Sequence, residues 1–143
     1  MEDDIRVDRN PNLLSILINK LDSLTGKTWD ILYTDVDDRG DTQLDMEPIY
    51  PWVWRPDLSI AHIDFGHRKY IGDDFIKINF RSRTHSMIIR RSGMKKVIDY
   101  IEKHRMFTPL DDEIHCVPNI QLYMLKYSIV SFGYDGTSNI TID

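Results

Sequence analysis

The densest group of residues able to do chemistry is His62-Ile63-Asp64-Phe65-Gly66-His67. On a strand, alternation puts His62 and Asp64 on one face, and a turn at Gly66 could swing His67 beside them. Three nitrogen and oxygen ligands with an open position are what a hydrolytic divalent-metal centre needs. Such a centre would make the chain a metal-dependent phosphodiesterase or nuclease. The spacing matches no established metal signature, and neither a second carboxylate nor a cysteine pair supports it. Polar residues at a strand edge are the simpler reading, with no metal and no cofactor expected.

Other constellations fall short for definite reasons. Asp35, Asp37 and Asp41 could fill positions one, three and seven of a calcium loop with Gly40 at its sharp turn, but Arg39 and Met46 stand where oxygen ligands are required. An acidic hairpin turn is the better reading. The tripeptide Arg39-Gly40-Asp41 resembles an adhesion motif, which has no use in a chain read as intracellular. His115 and Cys116 are adjacent, so in extended structure they point apart and form no nucleophile–base pair. Cys116 beside Val117 reads as a small buried hydrophobe. The seven glycines are scattered singly, so no phosphate-cradling loop is present. No residue is assigned a catalytic role.

Two features favour binding over catalysis. Trp52, Trp54 and Arg55 lie within Pro51-Trp-Val-Trp-Arg-Pro56. Tryptophans two apart share a face of an extended segment; exposed they anchor a partner, buried they cover a sheet. The stronger feature is charge. Residues 1–65 carry a net −8, residues 66–105 a net +7 and residues 106–143 a net −4. The whole-chain net charge of −5 therefore conceals a basic middle.

If residues 75–83 and 86–91 form a hairpin turning at Thr84-His85, Ile76, Ile78, Phe80, Met87 and Ile89 share a buried face. Lys77, Arg81, Arg83 and Arg90 then share the other, extended by Arg91 and by Lys95 and Lys96 in the first turn of a following helix. Like charges so placed repel, and cations oppose the helix dipole there, which points to an anionic partner. An acidic protein surface or a nucleic acid fits. The competing expectation is that the chain's own acidic segment, Asp35 to Glu47, neutralises the block.

The elements that must position these residues follow from periodicity. Asn10-Pro11 reads as a cap and first helical residue, and Leu13, Leu14, Leu17, Ile18, Leu21 and Leu24 follow at helical spacing until Gly26. From Thr28 the period becomes two, so Trp29–Tyr33 reads as a strand. Residues 42–54 return along a proline-interrupted edge, and Leu58–Phe65, 75–83 and His85–Arg91 are further strand candidates. Ser92 can cap a second helix striped by Met94, Val97, Ile98 and Ile101. Residues 106–118 read as loop, 120–132 as a strand and 138–142 as a closing strand. Residues 1–9 read as a frayed tail.

Composition agrees: there are 19 isoleucines against one alanine, and 19 aspartates against four glutamates. That balance favours strands and turns over helix. The expectation is one α+β domain over 1–143: a mostly antiparallel sheet of about five to seven strands with two helices packed on it. A single cysteine, an acidic N-terminus and no long apolar run predict a cytoplasmic protein without membrane contact. The functional expectation is a non-catalytic binding or regulatory protein, able to inhibit a partner by occlusion. A self-assembling structural subunit is the remaining alternative.

Overall fold

The computed structural model describes residues 5–35, 66–81, 84–106 and 109–132. Their fold is α+β. Seven strands run in chain order: β1 (Ile5–Val7), β2 (Ile31–Tyr33), β3 (Arg68–Ile71), β4 (Phe75–Ile78), β5 (Met87–Ile89), β6 (Leu122–Leu125) and β7 (Val130–Phe132). The helices are α1 (Leu13–Thr25), α2 (Arg91–His104) and the short α3 (Leu110–Glu113), which runs on as a 3-10 turn, Ile114–Cys116. The main sheet has the order β3-β4-β6-β2-β5, and β1 pairs with β7 in a separate ribbon. Pairing is antiparallel throughout the described strands except between β2 and β6, which are parallel.

Alternation along the central strands gives the sheet two faces, and both are covered. Leu32, Phe75, Tyr123 and Leu125 pack against Leu17 and Leu21 of α1. Ile31, Tyr33, Ile76, Ile78, Leu122 and Met124 pack against Ile114, with Val97 of α2 alongside. Every residue of β2 and β6 is consequently buried. The period-two reading located the strand, with Asp30, Leu32 and Thr34 alternating with Trp29, Ile31 and Tyr33. All three are buried: Leu32 under α1, Asp30 against the first turn of α2, and Thr34 bonded to Ser86.

α1 starts later than expected. The Asn10 side chain accepts a hydrogen bond from the Asn12 amide at 3.0 Å, so Asn10 and Pro11 form a turn that leads into the helix. Gly26 ends it as anticipated, with φ of 61° and its amide bonded to the Asp22 carbonyl. The tail is partly structured: residues 5–7 form β1, and the Asp8 amide donates to the Ile129 carbonyl at 2.9 Å. The stretch expected as one strand over 120–132 is broken into β6 and β7, and the expected loop over 106–118 contains α3 and the 3-10 turn.

The largest correction concerns the expected hairpin of residues 75–83 with 86–91. β4 pairs with β3 and β6, whereas β5 pairs with β2 two strands further on. Thr84-His85 lacks the residues that tolerate the positive φ of a two-residue hairpin turn. Gly72-Asp73-Asp74 supplies the real hairpin turn, with Gly72 at φ 62° between β3 and β4. The expected strands at 42–54, 58–65 and 138–142 lie outside the described residues, as do Trp52, Trp54, Arg55, His62, Asp64 and Arg83.

Candidate basic surface

The cations singled out by charge segregation are distributed over three environments. The first is the end of the sheet where β2 and β6 begin. Asp30, 1% exposed, receives Lys96 Nζ at 2.6 Å and the Gln121 amide at 2.9 Å on one carboxylate oxygen. Ser92 Oγ donates to the other oxygen at 3.2 Å, and the Asp30 carbonyl accepts from the Arg90 amide at 2.9 Å. This buried carboxylate thus lies against the first turn of α2, where its negative charge complements the dipole that Lys95 and Lys96 oppose. Ser92, expected as the helix cap, instead sits inside the first turn and binds Asp30. The approach is close enough that a Cβ on Gly93 would stand 2.8 Å from both Cβ and O of Asp30.

Arg90 belongs to the same end. Its guanidinium lies 4.7 Å from the centroid of the Trp29 ring, donates to Asp22 at 3.1 Å and reaches the Lys27 carbonyl at 2.9 Å. Trp29 Nε1 donates to the other Asp22 oxygen at 2.7 Å. Arginine, indole and carboxylate therefore form a closed cluster that ties α1 to the strand after it.

The second environment is interior. Past the end of β4 the chain leaves the sheet, so alternation no longer governs Arg81, which is 2% exposed. Two of its nitrogens meet the two oxygens of Asp35 at 2.9 and 2.8 Å, a paired arrangement that suits the guanidinium fork. The guanidinium also lies 4.7 Å from the Tyr33 ring centroid, and His85 Nδ1 is 3.4 Å from Asp35. His115 packs its ring on Phe80 with centroids 4.5 Å apart. Its Nε2 lies 2.7 Å from the Arg81 carbonyl. A carbonyl only accepts, so Nε2 carries the hydrogen and Nδ1 is left bare. Burial, reinforced by the Arg81 charge, lowers the His115 pKa to about 3, although its bond to the Arg81 backbone pulls the other way. Burial likewise raises the Tyr33 phenol, whose hydroxyl has no hydrogen-bond partner among the described residues.

The third environment faces solvent. Arg91, Met94, Lys95 and Ile98 are exposed on α2, opposite Gly93 and Tyr100, which are buried. At 100° per residue these four fall within one arc of about 100°. Lys95 is paired with Asp99 at 2.8 Å, one turn on, which raises its pKa. On the sheet, Lys77 donates to Gln121 Oε1 at 2.7 Å, and its ammonium is 6.0 Å from the Tyr123 ring centroid.

The sequence-predicted surface is thereby resolved. Lys77 and Lys96 approach one another through Gln121 and Asn119, since Lys96 also donates to the Asn119 carbonyl at 2.9 Å. Arg91 and Lys95 share the outer face of α2. Arg81 is enclosed, Arg90 is held by Asp22 and Trp29, and Arg83 is not among the described residues. Neutralisation by the chain itself is real, but of the expected segment only Asp35 is described; the other acids are Asp22, Asp30 and Asp99.

One cation was missed: Lys69, directly opposite Lys77 in the β3–β4 pair. Counting equal steps outward from the Gly72-Asp73-Asp74 turn would have found it. Cys116 is buried as expected, though in a 3-10 turn with His115 rather than in extended chain. Among the described residues, no group of three or more histidine, cysteine, aspartate and glutamate side chains is placed to hold a metal ion. His67, alone of its proposed set, is described. No described helix is long and apolar enough to cross a membrane.

The described chain is thus an α+β protein with a five-stranded main sheet covered on both faces. Comparison with protein-family models, curated proteins and solved structures gave no match.

Proposed function

We propose that the chain is a binding protein that acts without a catalytic step, docking an acidic protein surface on the outer face of α2 and occluding part of that partner. The observation carrying this reading is the exposure of Met94 and Ile98, at 49% and 47%, one helical turn apart and flanked by Arg91 and Lys95. A helix that merely covers a sheet gains nothing from two large apolar side chains on its outer side. Apolar anchors ringed by charge are the composition of a protein interface, with the cations steering an acidic partner and the apolar pair holding it. A nucleic-acid backbone suits this face less well, because Met94 and Ile98, the apolar side chains between the cations, offer a phosphate no contact.

The test is capture from nuclease-treated native extract by the wild-type chain, by Met94→Asp/Ile98→Asp and by Arg91→Glu/Lys95→Glu. Circular dichroism first establishes that each variant keeps the wild-type fold. A protein captured by the wild type and released by both variants supports the reading. Equal capture by all three, or capture that disappears on nuclease treatment, overturns it.

A further inference from the structure

Lys69 and Lys77 are Cα partners on adjacent antiparallel strands, so their side chains leave the same face of the sheet about 5 Å apart at Cβ. The same register continues through Tyr123, Leu32 and Ile88, which places both lysines in the row that runs beneath α1. Like charges directly opposite each other oppose strand pairing. Three other lysines do have an acid beside them: Lys20 meets Asp74, Lys95 meets Asp99 and Lys96 meets Asp30. Among the described residues, no carboxylate lies within ion-pair distance of Lys69 or Lys77.

The neighbourhood of Lys77 is polar but uncharged. Its ammonium is held by the amide oxygen of Gln121, whose own nitrogen donates to the Asn119 carbonyl at 3.4 Å, and lies over the Tyr123 ring, 6.0 Å from its centroid. One N–H of Lys77 is thereby engaged and two remain. Lys69 is exposed, and among the described residues no hydrogen bond engages its ammonium. One ammonium held in place and one exposed beside it can converge on a single anion.

We propose that Lys69 and Lys77 together bind a phosphate-class dianion. Two ammonium groups match the charge of a phosphate or phosphate monoester near neutral pH, and such an anion placed between them replaces their repulsion by two charge-assisted hydrogen-bond contacts. Lysines act as point charges, so the site selects for charge density at a terminal phosphate and leaves the group that carries it open. This site lies on the α1 side of the sheet and does not depend on the docking face of α2.

Isothermal titration of the full chain with inorganic phosphate, at constant ionic strength set with sodium chloride, tests the proposal. Saturable binding is expected for the wild type, with the dissociation constant at least tenfold weaker in Lys69→Gln and in Lys77→Gln and unchanged in Lys103→Gln. Thermal unfolding in parallel reads the same loss as a smaller phosphate-induced rise in midpoint, with sodium chloride at matched ionic strength as the control for general salt effects. Titration with O-phosphoserine and with AMP separates the sources: tighter binding of either identifies a phosphorylated side chain or a nucleotide, and tightest binding of inorganic phosphate identifies the free anion. Absence of saturable binding by all three ligands, or binding that survives both lysine substitutions, overturns the proposal.

Discussion

Protonation of His115 must be coupled to unfolding, and His115→Gln isolates the effect. The native imidazole is buried and resists protonation until pH falls to about 3. In the unfolded chain a histidine takes up its proton near pH 6.5. The unfolded state therefore binds more protons between those limits, and acid removes stability across that window, with the loss beginning as pH falls through about 6.5. Integrating one such site from pH 7 to pH 5 gives about 2 kcal/mol. Glutamine can keep the donor to the Arg81 carbonyl but has no proton to take up. Urea unfolding at pH 7 and pH 5 supplies the comparison. The wild type should lose about 2 kcal/mol more than the variant between the two pH values, whatever their absolute stabilities. The difference cancels contributions shared by both proteins, including the other histidines. Equal losses in the two proteins would mean that native His115 protonates as readily as in the unfolded chain, and the reasoning would fail.

Two further substitutions probe the interior polar contacts. Asp35→Asn should lower stability by about 3–5 kcal/mol, because the buried Arg81 guanidinium loses the Asp35 carboxylate charge. The double variant Asp35→Asn/Arg81→Met should be more stable than that single variant in chemical denaturation, and additive losses would count against the pair. Gly93→Ala should cost roughly 1–3 kcal/mol as the new methyl group meets Asp30 and pushes α2 from the sheet. An unchanged denaturation midpoint would refute that close approach.

The sequence revealed local structure better than it revealed neighbours. α1 was legible because its leucines recur at helical spacing and Gly26 stops them. The strand beginning near Trp29 was legible too, yet its burial was not, since alternation cannot show that a second layer covers the polar-looking face. The basic block was visible as composition, but the acids that neutralise it are remote. Arg81 and Asp35 are 46 positions apart, Lys96 and Asp30 are 66, and Arg90 and Asp22 are 68. Pairings of such separation follow from strand order, and strand order is what the assumed turn at Thr84-His85 got wrong. Lys69 escaped notice for a related reason: its partner becomes evident only when Gly72-Asp73-Asp74 is recognised as a hairpin turn.

The Asp35–Arg81 pair also has a topological consequence. Asp35 lies just past the end of β2 and Arg81 just past the end of β4, so the pair acts as a noncovalent clasp between the ends of two strands that are not hydrogen-bonded neighbours. A chain with one cysteine has no disulfide with which to do this. Opening the clasp would therefore release the ends of β2 and β4 together rather than one strand at a time.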